Sequence, residues 1–252
     1  MQIMIGWAKD MRGACETVPP VRSTPMFVEQ AASNAVQLMR YSDEELRDVL
    51  RCNAQIAREN HLRYLHFLDE SDGLQAALAY SGIVFKYLDA ENFSAADWEY
   101  AQCHLSITSF LYGLLRPADM IKPYRLEGDV VLPDNGVSMF DYWKPLLTDV
   151  LVDSVKADDG VLLDLASSEM RRLFDWKRVM REVKVLRPEF MVERGGKLKT
   201  VVVYAKMCRG AMTRHVIENR LSAPDGILSF DFEGFRYSES AGKPLKPVFV
   251  MG

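Results

Sequence analysis

The chain has 252 residues, of which 48% are hydrophobic and 26% are charged, so it is long enough to bury one substantial core. No apolar run approaches the roughly 20 residues that a membrane helix needs, and the first residues lack the pattern of an export signal. These features predict a cytoplasmic protein that has no membrane partner.

The first half of the chain alternates between strand and helix patterns. The apolar runs that predict strands lie at residues 2–8 and 105–108. The Thr24-Pro25 pair predicts a helix start, because proline fits the first helical position. Two further starts have a serine followed three positions later by an acid, the spacing of a capping box: Ser42 with Glu45 and Ser94 with Asp97. Helical periodicity after the first box continues to about residue 68.

The second half combines longer helices with short strands. Residues 161–165 form an apolar run with one acid, which is typical of a strand that is covered on both faces. The other predicted elements are a helix over 139–155, a hairpin of strands 182–192 and 197–204, a helix from 207 to about 221, and strands at 230–232 and 248–250. We therefore expect a mixed α/β fold, one compact unit over residues 1–252 with a mixed sheet flanked by helices.

Charge is unevenly distributed along the chain. Residues 1–170 carry 14 Lys and Arg against 26 Asp and Glu, whereas residues 171–214 carry 13 against 4. An acidic body with a basic segment favours one cationic surface, or positively charged cleft, for a polyanion. The alternative is that the basic residues form a solvated helix and strand face.

Three predicted strand ends lead from an apolar run into small and polar residues. They are followed by Lys9, by Ser167 with Glu169, and by Lys206. Ligands of α/β folds bind beyond the carboxyl ends of strands, so these groups are expected to line one crevice. The alternative for each end is that polar residues merely leave the core.

The segment after the third strand end carries the clearest candidate anion site. Lys206, Arg209 and Arg214 flank Gly210 and Thr213 in the first turns of the predicted helix. Lysine and arginine are unfavourable near the positive end of a helix dipole, so this face fits a phosphate better than it fits helix stability. A solvated face is the alternative.

Arg116 and Arg125 form a second candidate pair within a segment dense in proline and glycine. Asp119 and Glu127 lie close enough in sequence to pair with them. Such fixed arginines suit phosphate recognition, and they suit a structural ion-pair network equally well.

Known catalytic and metal-binding signatures are absent from the sequence. The four cysteines and four histidines lack the spacing of a zinc site, and no nucleophile elbow, phosphate-binding loop or dinucleotide fingerprint occurs. We expect no metal and no cofactor. In an enzymatic alternative, Glu169 would act as acid or base, with Lys9 and Lys206 as charge stabilisers on a small phosphate-bearing or nucleotide-like substrate.

Several motifs in order along the chain resemble the YaaA family of bacterial peroxide stress proteins. The motifs are Leu111-Tyr112-Gly113-Leu114-Leu115-Arg116-Pro117, Pro123-Tyr124-Arg125-Leu126-Glu127, Leu165-Ala166-Ser167 with Glu169, Tyr204-Ala205-Lys206 with Arg209-Gly210, and Ile217-Glu218-Asn219. The resemblance implies a cytoplasmic protein that limits intracellular iron and oxidative damage. It also implies DNA binding through a positively charged cleft and a helix-hairpin-helix-like element.

Two motifs depart from the family pattern. Gly6-Trp7-Ala8-Lys9-Asp10 keeps the lysine of a family S-P-A-K-T motif and lacks both of its hydroxyls. The turn at residues 108–113, which would match the hairpin of a helix-hairpin-helix, has Phe110 in place of the first glycine.

The resulting hypothesis is a non-enzymatic protein of peroxide stress that binds DNA phosphates without sequence specificity. Its contact residues would be Lys9, Arg116, Arg125, Lys206, Arg209, Gly210, Thr213 and Arg214. The enzyme acting on a small phosphate-bearing substrate remains the second hypothesis for the same cleft.

Overall fold

A computed structural model describes residues 1–70 and 73–252. Within these residues the strands form a five-stranded sheet, a four-stranded sheet and a two-stranded pair. The strands are β1 (Gln2–Ile5), β2 (Leu74–Gln75), β3 (Leu105–Ser109), β4 (Gly113–Leu115), β5 (Met120–Ile121), β6 (Val161–Asp164), β7 (Lys184–Leu186), β8 (Glu189–Arg194), β9 (Lys197–Lys199), β10 (Arg236–Tyr237) and β11 (Val248–Met251).

Helices flank these sheets, so the fold is the mixed α/β unit expected from the sequence. They are α1 (Val28–Met39), α2 (Asp43–Val49), α3 (Ala54–Leu65), α4 (Ala76–Ala79), α5 (Ile83–Leu88), α6 (Ala95–His104), α7 (Met139–Ala157), α8 (Trp176–Glu182) and α9 (Val202–Glu218). Short 3-10 helices lie at Ala90–Asn92, Met170–Leu173 and Pro224–Ser229.

The large sheet has the order β4-β3-β1-β6-β7. Strands β3, β1, β6 and β7 run parallel, and β4 is antiparallel to β3. The chain passes from β1 to β3 on one side and later to β6 on the other, so the direction of winding reverses at β1. Such a switch point creates a crevice beyond the carboxyl ends of the strands.

The core is built on the central strands of the large sheet. Ile3 and Ile5 of β1 and Leu163 of β6 are completely buried, as expected for strands covered on both faces. Helix α7 contacts β4 and β6, and its Trp143 donates a hydrogen bond from Nε1 to the carbonyl of Phe110. The apolar face of this helix therefore closes one side of the sheet.

The capping boxes predicted at Ser42 and Ser94 are both present. The single helix expected after Ser42 is instead two helices, because the chain turns at Arg51 with a φ of 49° and Asn53 caps α3. Helix α1 begins at Val28 rather than at the Thr24-Pro25 pair.

The small sheet has the order β10-β11-β8-β9 and corrects the predicted hairpin. Strands β8 and β9 do pair across Gly195 and Gly196, whereas β7 lies in the large sheet. Residues 201–204 were expected to be strand, but α9 begins at Val202. The β-branched valines indicated a strand, and packing of the following residues against α5 favours the helix instead.

The turn at residues 108–113 also differs from expectation. It joins β3 to β4 in an antiparallel hairpin, with Ser109 opposite Gly113. These residues therefore form a β-hairpin and not the turn of a helix-hairpin-helix.

Candidate functional site

A cleft of about 930 Å³ lies at the switch point of the large sheet. The chain after β1 lines it with Gly6, Trp7, Ala8 and Lys9, and the chain after β6 lines it with Leu165, Ser167 and Glu169. The beginning of α5 and the first half of α9 supply further walls. The strand ends at β1 and β6 thus converge, as the sequence predicted.

Lys206 and Arg209 both line the cleft from α9. They lie three positions apart and so on neighbouring turns of one helix face. Neither side chain forms an ion pair or a hydrogen bond within the described residues. Lys206 is exposed and Arg209 is half-buried, so Arg209 carries its charge in a partly desolvated position.

Burial lowers the pKa of Arg209, and the carboxylate of Asp164 opposes this shift. Asp164 itself is nearly inaccessible at the end of β6, where its Oδ2 accepts a hydrogen bond of 2.8 Å from Nε of Arg171. Burial raises the pKa of Asp164 and Arg171 works against that rise. Arg209 thus has a distant carboxylate and no direct partner, an arrangement that an anion in the cleft would stabilise.

Gly210 and Thr213 do not face the cleft, contrary to the sequence-based expectation. Both are buried, and Thr213 donates a hydrogen bond to the carbonyl of Arg209. A Cβ on Gly210 would lie 2.1 Å from the carbonyl oxygen of Val84, so α5 occupies this face of α9. The prediction of an exposed, small and polar face at these two residues is wrong.

Arg214 lies on a separate hollow beside α5. Its Nη1 is 2.6 Å from Asp89 Oδ2 and its Nε is 2.7 Å from Glu218 Oε1. His215 and Phe232 also line this hollow. The expectation that Arg214 flanks the same site as Lys206 is therefore not met.

Lys9 and Arg125 share one carboxylate. Glu127 Oε1 lies 2.9 Å from Lys9 Nζ and 3.1 Å from Arg125 Nε. Lys9 lines the cleft, whereas Arg125 lies behind this ion pair and does not. The carboxylate of Glu127 therefore neutralises much of the positive charge at this end of the cleft.

Arg116 lies away from the cleft. It binds the buried carboxylate of Asp119 at 3.0 Å and the carbonyl of Thr24 at 3.1 Å. Ser23 also donates to Asp119, so this cluster ties the chain before α1 to the turn after β4. Arg116 and Arg125 therefore belong to structural ion pairs with Asp119 and Glu127, the alternative that the sequence left open.

The sequence interpretation missed two features of the cleft. Trp7 lines it as a half-buried aromatic wall, and Arg12 reaches it in an ion pair with Glu91 at 2.5 Å. The unusual Trp between Gly6 and Ala8 was visible in the sequence as a departure from the family motif. The contact of Arg12 joins residues far apart in the chain, and no local pattern indicates it.

The four cysteines are unpaired. In residues 1–70 and 73–252 no three His, Cys, Asp or Glu side chains are grouped to hold a metal ion. Within the same ranges, no helix has both the length and the hydropathy to cross a bilayer.

Comparison with known proteins assigns the family. A family model described as "Peroxide stress protein YaaA" matches residues 1–241. The chain belongs to the YaaA family of peroxide stress proteins. A UPF0246 protein of Phocaeicola vulgatus is 52% identical over 239 residues, covering 94% of each chain. A UPF0246 protein of Bacteroides fragilis is 50% identical over 254 residues, which span this whole chain and 99% of that protein.

A more distant relative shows how widely the family pattern extends. A UPF0246 protein of Porphyromonas gingivalis is 44% identical over 257 residues, the full length of both chains. The resemblance to the YaaA family that the sequence indicated is thereby confirmed.

Proposed function

We propose that this member of the YaaA family acts in the cytoplasm during peroxide stress by binding a small phosphate-bearing ligand in the cleft of the large sheet. The proposal is based on Lys206 and Arg209, which line the cleft without an ion-pair partner among the described residues. A phosphate between them would form charge-assisted hydrogen bonds, which are among the stronger contacts in proteins.

The charge of the remaining lining favours a compact ligand over a duplex. Of the other cations in the lining, Lys9 and Arg12 are already paired with Glu127 and Glu91, and Lys86 is exposed and forms no ion pair within residues 1–70 and 73–252. The carboxylates of Asp10, Asp89, Glu91 and Glu169 also line the cleft. A long polyanion would meet these acids, whereas a small ligand can place its phosphate at Lys206 and Arg209 and direct other groups elsewhere.

Titration calorimetry with ribose 5-phosphate tests the proposal. Lys206→Gln and Arg209→Gln should each weaken binding by about tenfold or more, because a hydrogen bond to a charged group contributes about 1.5–3 kcal/mol. Lys199→Gln is the matched control, since Lys199 is exposed on β9 and does not line the cleft. Undiminished affinity in the double variant Lys206→Gln with Arg209→Gln would contradict the proposal.

Binding to DNA is the second candidate, and the hairpin of β8 and β9 favours it. Arg194, Lys197 and Lys199 are exposed there, and within the described residues none of them forms an ion pair. Because side chains alternate along strands, these three lie on one face of the hairpin. The hairpin leads directly into α9, which carries the exposed Lys206.

Salt dependence distinguishes this candidate from the first. If three phosphates are contacted, affinity for a 20-base-pair duplex should fall roughly fortyfold between 50 and 200 mM salt, at a slope of about −0.9 per phosphate. Fluorescence anisotropy measures this slope. The triple variant Arg194→Gln, Lys197→Gln and Lys199→Gln should flatten the slope and leave ribose 5-phosphate binding unchanged; a flat response in the wild-type protein would exclude phosphate-driven DNA binding.

A further inference from the structure

The cleft has an aromatic and apolar wall that a phosphate alone would not use. Trp7 lines it directly after β1, and Ala77 and Ile83 continue the apolar surface. Lys206 and Arg209 reach the cleft from a different element, α9. The cleft therefore offers one ligand a cationic group of side chains and an apolar surface.

The indole of Trp7 is held in place by the aromatic core behind it. It stacks on Tyr124 at an interplanar angle of 14° with 6.2 Å between ring centroids, and it meets Phe110 edge-on at 5.1 Å. Tyr124 is in turn fixed by hydrogen bonds of its hydroxyl to Tyr80 and Ser109. Because these contacts fix the ring before a ligand arrives, little ordering is needed to stack a second aromatic ring on it.

Two acceptors of the cleft are also available to a ligand. Asp10 and Glu169 are exposed, and in residues 1–70 and 73–252 no ion pair engages either carboxylate. Carboxylates accept hydrogen bonds from hydroxyl and amino groups. The lining thus matches a ligand with a phosphate, a π-face and hydroxyl or amino donors.

We propose that the ligand of the cleft is a nucleotide, with its phosphate at Lys206 and Arg209 and its base stacked on Trp7. This inference rests on the proposed phosphate site and adds the base to it. A sugar phosphate has no π-face for the indole, an inorganic phosphate has no apolar group at all, and a phospholipid lacks the flat ring. Of these ligands, the nucleotide is the one that uses each part of the lining.

Comparison of AMP with ribose 5-phosphate isolates the base, because AMP carries adenine where ribose 5-phosphate has its anomeric hydroxyl. AMP should bind the wild-type protein about tenfold more tightly, within the range measured for base stacking on aromatic side chains. Trp7→Leu should reduce AMP affinity to that of ribose 5-phosphate, and Trp7→Phe should restore part of the preference. Tyr237→Leu is the control, an aromatic-to-leucine change at a half-buried residue of β10 that does not line the cleft.

The outcomes separate this inference from the proposed function. Equal affinities of the wild-type protein for AMP and ribose 5-phosphate, or an AMP preference that survives in Trp7→Leu, would overturn the base contact and leave the phosphate site standing. Absence of binding by both ligands would overturn the two proposals together. If Trp7→Leu also loses ribose 5-phosphate binding, the substitution has altered the site as a whole and this variant does not test the base contact. The difference in affinity between AMP and ribose 5-phosphate for the wild-type protein, and its partial retention in Trp7→Phe, then decides whether the base binds Trp7.

Discussion

Asp164, at the end of β6, is the buried carboxylate that balances the positive charge of Arg171 and Arg187. Its side chain is inaccessible to solvent, it accepts hydrogen bonds from Arg171 Nε and the amide of Ala166, and Arg187 Nε lies 3.9 Å away. A buried carboxylate among guanidinium groups is costly to remove, because the arginines left behind lose their partner.

We therefore expect Asp164→Asn to lower the free energy of unfolding by about 3 kcal/mol, the range for breaking a buried ion pair. Urea denaturation at neutral pH measures the change. Asp149→Asn provides the control, because Asp149 pairs with Arg178 at a largely exposed site where such pairs contribute about 1 kcal/mol or less. If the two variants lose the same free energy of unfolding, the buried ion pair of Asp164 stabilises the fold no more than an exposed pair does.

At the scale of elements, the packing of α9 on α5 fixes where the cleft cations lie. Gly210 permits this packing, because its Cα lies against the backbone of Val84 and Leu88 where no side chain fits. Lys206 and Arg209 are carried on the same helix toward the cleft. The glycine that the sequence suggested as a phosphate contact instead determines how close two helices can approach.

Gly210→Ala should lower the free energy of unfolding by about 1–3 kcal/mol, because the new methyl group forces the two helices apart. Thermal and urea unfolding followed by circular dichroism would measure it. Gly13→Ala is a suitable comparison, since the nearest atom to its Cβ would be Pro123 Cγ at an ordinary 3.8 Å. A Gly210→Ala protein as stable as Gly13→Ala would mean that α5 and α9 are not in firm contact.

Sequence patterns within a few residues predicted several helix starts correctly, whereas contacts between residues distant in the chain determine which side chains line the cleft. The capping boxes at Ser42 and Ser94 each involve only four consecutive residues, so the sequence shows them directly, and the structure contains both. The strand predicted at 201–204 fails because the contacts of α9 with α5, far away in sequence, outweigh the β propensity of its valines. The ion pairs of Arg116 with Asp119 and of Arg125 with Glu127 are local and were anticipated, whereas Glu127 reaches Lys9 from 118 positions away, so no local pattern indicated that Lys9 is paired.

At the scale of the whole molecule, α9 joins the two main sheets. It packs on α5 and α6 near the large sheet and on β8 of the small sheet. The small sheet has its own aromatic cluster, in which Phe249 lies 5.6 Å from Phe190 and 5.5 Å from Phe230 between ring centroids. Because α9 is shared, we expect the two sheets to unfold in one cooperative transition.

Phe249→Ala tests this cooperativity, since Phe249 is completely buried and its truncation should cost about 3–5 kcal/mol. All four tryptophans, Trp7, Trp98, Trp143 and Trp176, precede the first strand of the small sheet. If the molecule unfolds as one unit, tryptophan fluorescence and far-ultraviolet circular dichroism should shift to the same lower urea midpoint, although the mutation lies in the other sheet.

Leu245→Ala, at a residue that is 43% exposed, should leave both midpoints nearly unchanged. A fluorescence midpoint that stays in place while part of the dichroism signal is lost early would mean that the small sheet unfolds separately, and α9 would then hold the cleft cations on an independently melting unit.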